Sequence, residues 1–155
     1  MSIAYGVQDY IAEHDLPWEP VPHPASQSCM EAARFAHVPP DRLAKAVVLE
    51  DDDGYVLAVI PANCRLDLRE LGAALQRDLW LASERELLEL FADCAPGAVP
   101  PVGEGYGIPT VWDASLGHKP DVYFEGGDHR TLVHMSGPDF CELMRSAHPL
   151  RQYLL

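Results

Sequence analysis

Apolar residues along this chain recur with two different periods, and the alternation between them lays out a fold. Val7, Tyr10 and Ile11 share one helical face, so a first helix is expected after Ser2 and before Pro17. Trp18 to Val21 then reads as a short extended piece, edge-like because prolines interrupt it. Ser28 followed by Glu31 has capping-box spacing and predicts a helix over Cys29 to His37, ended by Pro39 and Pro40, with Ala32, Ala33 and Ala36 permitting close packing. Leu43 to Leu49 and Tyr55 to Ile60 flank the turn cluster Asp51 to Gly54 and predict a β-hairpin. Asp67 opens a helix with Leu68, Leu71 and Leu75 at helical spacing, and Leu79 to Leu81 is a candidate short strand. Ser83 and Glu86 repeat the capping box before the stripe Leu87, Leu88 and Phe91.

The second half is more broken. Residues 92 to 109 are dense in glycine and proline and predict a loop, followed by a strand near Thr110 to Trp112. Asp121 to Phe124 and Thr131 to Met135 predict two strands joined through Gly126, Gly127 and Asp128, and Pro138 opens a final helix with Phe140, Met144 and Ala147 inward. Helices and strands alternate without a regular βαβ repeat, which points to an α/β fold with a mixed sheet covered by helices. No repeat, low-complexity tract or linker divides the chain, so residues 1 to 155 are expected to form one domain.

Composition narrows the function. With 48% hydrophobic residues and a mean hydropathy of −0.09, global disorder is excluded. No apolar run approaches the roughly 18 residues that cross a bilayer, and Met1 to Tyr5 lacks a basic segment followed by an apolar one, so a cytoplasmic protein without membrane contact is expected. A net charge of −13 argues against DNA as a partner, because unspecific polyanion affinity comes mostly from neutralised phosphates. Cys29, Cys64, Cys94 and Cys141 are dispersed, as are the seven histidines, and neither set shows metal spacing; no metal and no cofactor is assigned. The cysteines read as small core hydrophobes, with a thiol nucleophile as the competing possibility.

Three places stand out chemically. Lys45 lies within Leu43-Ala44-Lys45-Ala46-Val47-Val48-Leu49, where alternation puts it on the face of Val47 and Leu49; it must snorkel, pair, or serve an anionic ligand. The loop Ala95-Pro96-Gly97-Ala98-Val99-Pro100-Pro101-Val102-Gly103 combines rigidity with permissive backbone, suited either to presenting main-chain groups or to a plain connection. His129, beside Asp128 and Arg130 in a turn, is a candidate acid, base or hydrogen-bond donor, or an ordinary surface histidine. Elsewhere the bland readings prevail. Ser26, Ser28 and Ser83 sit in no GxSxG elbow, and Asp51 to Asp53 lack the EF-hand spacing and its distal glutamate, so a solvated turn is expected there.

The order of these features resembles the YbaK/prolyl-tRNA synthetase associated domain family. The shared features are the histidine and the Glu31-Ala32-Ala33 helix, the Lys45 strand leading to Gly54-Tyr55-Val56-Leu57-Ala58-Val59-Ile60-Pro61, Arg65-Leu66-Asp67, Ala82-Ser83, the GxxxP loop Gly97-Ala98-Val99-Pro100-Pro101, Val111-Trp112-Asp113, and the glycine-bearing segment before Thr131 to Met135. The resemblance implies a compact mixed-sheet domain that hydrolyses the ester joining an amino acid to the 3′ end of the wrong tRNA. Its partners would be the aminoacylated CCA terminus and, by extension, an aminoacyl-tRNA synthetase; it assigns no oligomeric state. It gives Lys45 the terminal phosphate and sugar of the tRNA. Gly97, with Ala98, Val99, Pro100 and Pro101, would hold the aminoacyl adenosine and a water. Met30 and Val47 would wall the amino-acid pocket, and His129 corresponds to a catalytic or gating histidine of the synthetase-inserted branch. Asp113 matches an aspartate with a structural role. The threonine that often follows the family lysine is Ala46 here. A non-catalytic module that binds aminoacyl-tRNA or a small ligand in the same pocket is the alternative expectation.

Overall fold

The computed structural model describes residues 3–150. Helix α1 (Tyr5–Glu13) leads through strand β1 (Glu19–Pro22) to α2 (Cys29–Ala36), then to the hairpin β2 (Leu43–Asp51) and β3 (Gly54–Pro61). Helix α3 (Leu68–Leu75), strand β4 (Trp80–Leu81) and helix α4 (Glu84–Leu90) follow. After a long loop come β5 (Thr110–Asp113), β6 (Asp121–Glu125), β7 (Thr131–Ser136), α5 (Gly137–Leu143) and β8 (His148–Leu150). The strands form one mixed sheet in the order β1-β7-β6-β2-β3-β5-β8, with β4 paired to β2. The expected α/β architecture is therefore the observed one.

Local chemistry sets the helix ends. Ser83 and Glu86 make a complete capping box, the Glu86 N–H donating to Ser83 Oγ at 3.2 Å and the Ser83 N–H to Glu86 Oε1 at 2.9 Å. Ser28 Oγ accepts the Glu31 N–H at 3.1 Å, but the Glu31 carboxylate reaches one residue further back, to the Gln27 N–H at 2.8 Å. Helix α2 stops at Ala36 rather than His37, because His37 turns left-handed (φ 58°) and closes the helix with its N–H. The final helix ends at Leu143, one turn earlier than its apolar spacing suggests, although Met144 and Ala147 are buried beyond it. The turn expected to be solvated is pinned instead: Asp51 accepts two hydrogen bonds from Arg77, at 2.7 and 2.8 Å, and those guanidinium contacts hold its carboxyl well below the usual range.

The two faces of the sheet are covered differently. On one, α1 and α5 bury Val7, Ile11, Phe140 and Leu143 against Ala44, Val59, Phe124 and Val133 in the largest core cluster. Each large side chain fully buried there contributes about 1.5–3 kcal/mol. On the other, α2 covers Leu43 and Leu132 while α3 covers Leu49, Val56 and Ala58. Lys45 lies half-buried on β2 between those two patches, with Nζ donating to the Cys64 carbonyl at 2.9 Å.

Edge strand β1 is tied down electrostatically. His134 on β7 stacks on Tyr123 with ring centroids 4.5 Å apart, and its two ring nitrogens reach Glu19 at 2.9 Å and Asp121 at 2.7 Å. Burial works against the charged imidazole, but the two carboxylates outweigh it and raise the pKa above the ordinary 6.5. The stabilisation is complete below the unfolded-state value and lost as pH rises through the raised native one. The thermal midpoint is therefore expected to fall as pH rises above the ordinary 6.5 and through the raised native value. Replacing His134→Gln should remove that part of the decline, as a melting series in both proteins would show; an unchanged slope in the variant would contradict it.

Candidate active site

Strand β2 has one continuous neighbour, β3, and on its other side two partial ones. Strand β6 pairs in parallel with Leu43 and Ala44 at its start, and β4 pairs antiparallel with Leu49 and Glu50 at its end. Between them, from Lys45 to Val47, that side of β2 has no strand partner among the described residues. The sheet splits here. The turn after β6 and the helix after β4 form the two walls of a cleft of about 360 Å³ lined by Ser26, Gln27, Glu84, Leu87, Leu88, Pro96, Gly97 and His129.

Two residues singled out from the sequence meet in this cleft. His129 adopts a left-handed backbone (φ 62°) at the tip of the β6–β7 turn and donates from Nε2 to the Pro96 carbonyl at 2.6 Å. With Nε2 protonated, the neutral ring presents Nδ1 as a lone pair. Gly97 also has positive φ (79°), and a Cβ there would stand 3.8 Å from His129 Nε2, so the glycine combines a backbone need with close approach of the imidazole. Its N–H makes no hydrogen bond among the described residues, whereas the Ala98 N–H is committed to the Ala95 carbonyl at 3.0 Å.

The turn is cross-braced. Glu125 Oε2 accepts the N–H groups of Gly127, Asp128 and His129 at 2.7, 3.1 and 3.1 Å. Asp128 accepts from the Arg130 N–H and from Thr131 Oγ1, each at 2.9 Å. The Gly127 carbonyl receives the Ala95 N–H at 2.8 Å, and the His129 carbonyl receives the Ser26 N–H at 3.0 Å. Three separate segments thus converge on the histidine. His23, buried at the start of one of them, donates its N–H to the Arg130 carbonyl at 2.8 Å and keeps its ring Nδ1 2.7 Å from the Pro24 carbonyl.

The other sequence candidates lie elsewhere. Ala98, Pro100 and Pro101 are buried beneath the loop and face the core, with Val99 half-buried against the main core cluster. Of the GxxxP segment, only Gly97 reaches the cleft wall. Lys45 and Val47 sit on the α2–α3 face at the split and do not line the cleft; Val47 packs towards α3. Met30 is half-exposed on α2 beside a separate shallow groove with Ser28, Arg34 and Val38. Asp113 caps a 3₁₀ turn, accepting the Ser115 N–H at 3.0 Å. Sequence reasoning missed Glu84, Leu88, Gln27 and Glu125. Only Glu125 carried a signal, an acid placed directly before two glycines and the histidine.

No thiol is prepared for nucleophilic attack. Burial pushes Cys29 up to about 11 and Cys94 up to about 12, and it raises Cys64 and Cys141 as well. Among the described residues no helix is long and apolar enough to cross a membrane. The cleft brings together an imidazole and a glycine whose N–H has no partner among the described residues, with Leu87 and Leu88 as apolar lining.

Comparison with known proteins bears on the family and the fold. A family profile described as the aminoacyl-tRNA editing domain matches residues 23–143. A proline–tRNA ligase of Thermotoga neapolitana is 33% identical over 127 residues, which is 76% of this chain and 22% of that enzyme. One from Aromatoleum aromaticum is 27% identical over 134 residues, 79% of this chain and 22% of the enzyme. The chain thus spans about a fifth of the length of these curated relatives. A solved structure described as a candidate trans-editing enzyme for prolyl-tRNA synthetase superposes with a TM-score of 0.79 at 26% identity, covering 95% of each chain.

Proposed function

Because this chain belongs to the aminoacyl-tRNA editing domain family, we propose that it is a one-domain deacylase acting in trans in the cytoplasm, removing a wrongly attached amino acid from the 3′ end of a tRNA charged by a synthetase. The observation that carries this reading is the meeting of His129 with Gly97 in the cleft at the split of the sheet.

In the reaction, the oxygen of a water bonds to the ester carbonyl carbon and the bond from that carbon to the ribose oxygen breaks. A proton ends on the ribose oxygen, so the products are the free amino acid and the tRNA. In this reading His129 Nδ1 takes the proton from the water and the Gly97 N–H stabilises the oxyanion, supported by the Nε2 bond to Pro96 and the lack of a partner for the Gly97 N–H among the described residues. Leu87 and Leu88 offer an apolar wall to the aminoacyl side chain, in place of the Met30 and Val47 wall expected from the sequence. Lys45 spends one of its three donors on Cys64 and has charge to spare for the terminal phosphate or sugar. Among the described residues no cluster of three potential metal ligands occurs.

Incubation with a panel of mischarged tRNAs tests the proposal. At least one ester should be hydrolysed well above the buffer rate, and the pattern of hydrolysis identifies the amino acid; a folded chain that cleaves none would overturn it. Because the chain carries a charge of −13, its contact with tRNA should neutralise few phosphates, around Lys45 with Arg65 or Arg130. The affinity is expected to be weak and to fall only shallowly with salt, whereas a steep slope would mean a far larger RNA interface.

A further inference from the structure

Glu125 is 7% exposed, the only buried acidic side chain among the described residues, and it ends strand β6 at the edge of the cleft. Its surroundings are not those of an ion pair. Among the described residues no cation lies within salt-bridge distance, and its Oε2 is filled instead by three successive backbone N–H groups, at 2.7, 3.1 and 3.1 Å. Consecutive N–H groups that converge in this way form an anion-binding concavity, and here the chain's own carboxylate occupies it. Closing the turn does not call for a second acid, because Asp128 already holds Arg130 and Thr131. What the Glu125 contacts fix in addition is the backbone leading into His129, through Gly127 (φ 119°) to His129 itself (φ 62°), a conformation uncommon for residues other than glycine.

That conformation aims the imidazole. From it the ring reaches the Pro96 carbonyl at 2.6 Å and stands against Gly97. On the other side, Lys45 and Glu125 are the next residues beyond the paired Ala44 and Phe124 on neighbouring strands, so both project from the same face. Glu125 therefore shares a sheet face with the lysine and touches the histidine through its main chain.

We propose that Glu125 is a positioning residue: its buried carboxylate clamps the Gly127–His129 backbone and so holds the His129 imidazole against Pro96 and Gly97. The kinetic half of its test rests on the deacylase reading, and the spectroscopic half does not.

Glu125→Gln keeps the shape and removes the charge that strengthens all three hydrogen bonds. In the full-length chain labelled with ¹⁵N-histidine, the His129 ring resonances are expected to shift and broaden while those of His134, held by its own carboxylates, stay in place. In single-turnover hydrolysis of the best mischarged tRNA, the rate should fall about ten-fold or more with little change in apparent KM, since a small misplacement of a reacting group is costly. In a His129→Ala background the same substitution should cost less than two-fold. Glu125→Asp keeps the charge but draws it back by one methylene, and should lie between wild type and Gln. An unmoved His129 ring in Glu125→Gln overturns the proposal, as does an equal loss of rate with and without His129, which would make Glu125 a support of the fold alone. If the wild-type chain hydrolyses no ester, the deacylase reading fails and the ring spectra alone decide the role of Glu125.

Discussion

Replacing His129 by asparagine is expected to slow single-turnover hydrolysis of a mischarged tRNA by about 10²- to 10⁴-fold, the span that loss of a positioned general base typically gives. Asparagine is the informative substitute because it tolerates the left-handed backbone (φ 62°) that the position requires. The turn should therefore survive, braced as it is by Glu125, Asp128, Ser26 and Ala95, and the ring contributes only one hydrogen bond of its own, to Pro96. Melting should change little. A variant that keeps the rate would remove His129 from the chemistry and leave the Gly97 N–H and the substrate's own hydroxyl to carry it.

The second large effect is expected at Lys45. Lys45→Met preserves the unbranched stem between the α2 and α3 patches and removes only the ammonium and its bond to the Cys64 carbonyl. The fold should tolerate it. Loss of one charge-assisted contact to a phosphate is worth about 1.5–3 kcal/mol, which is a ten- to hundred-fold fall in kcat/KM, and it should appear mainly in KM. The penalty should shrink as salt is added, since part of it is screened attraction. Together the two variants locate the substrate: the ester in the cleft with His129, and the terminal phosphate across the split near Lys45. Equal kcat/KM for Lys45→Met and wild type at low salt would place that phosphate elsewhere.

Much of the scaffold was legible because it is decided locally. The Ser28 and Ser83 caps, the β2–β3 hairpin and the leucine stripe of α3 each announce themselves within a few residues, and each occurs where expected. Strand β8 was not legible: His148-Pro149-Leu150 has too few residues to show alternation and includes a proline, and it becomes a strand only because β5 offers an open edge. The same distinction separates the parts of the site. His129 and Gly97 draw attention by residue type and turn context, but which groups face them is settled by packing. The apolar stripe of α4 read as core, yet Leu88 remains 49% exposed and lines the cleft, because the helix lies over a gap in the sheet. Ala98, Pro100 and Pro101 belong to the same motif as Gly97, but their side chains point the other way, so their contribution is to anchor the loop. Asp51 looked like one of three solvated aspartates until the fold brought Arg77, 26 residues later, within reach.

The two outer strands of the sheet share a feature with consequences in a crowded solution. Strand β1 carries Pro20 and Pro22, and β8 carries Pro149. A proline on an outer strand withholds the N–H that a further strand would need. Growth of the sheet by edge-to-edge addition of a second molecule is thus blocked at both ends by covalent geometry rather than by charge. Colloidal resistance to fibril-like association should therefore persist in high salt and at pH values where the surplus of carboxylates no longer keeps the molecules apart.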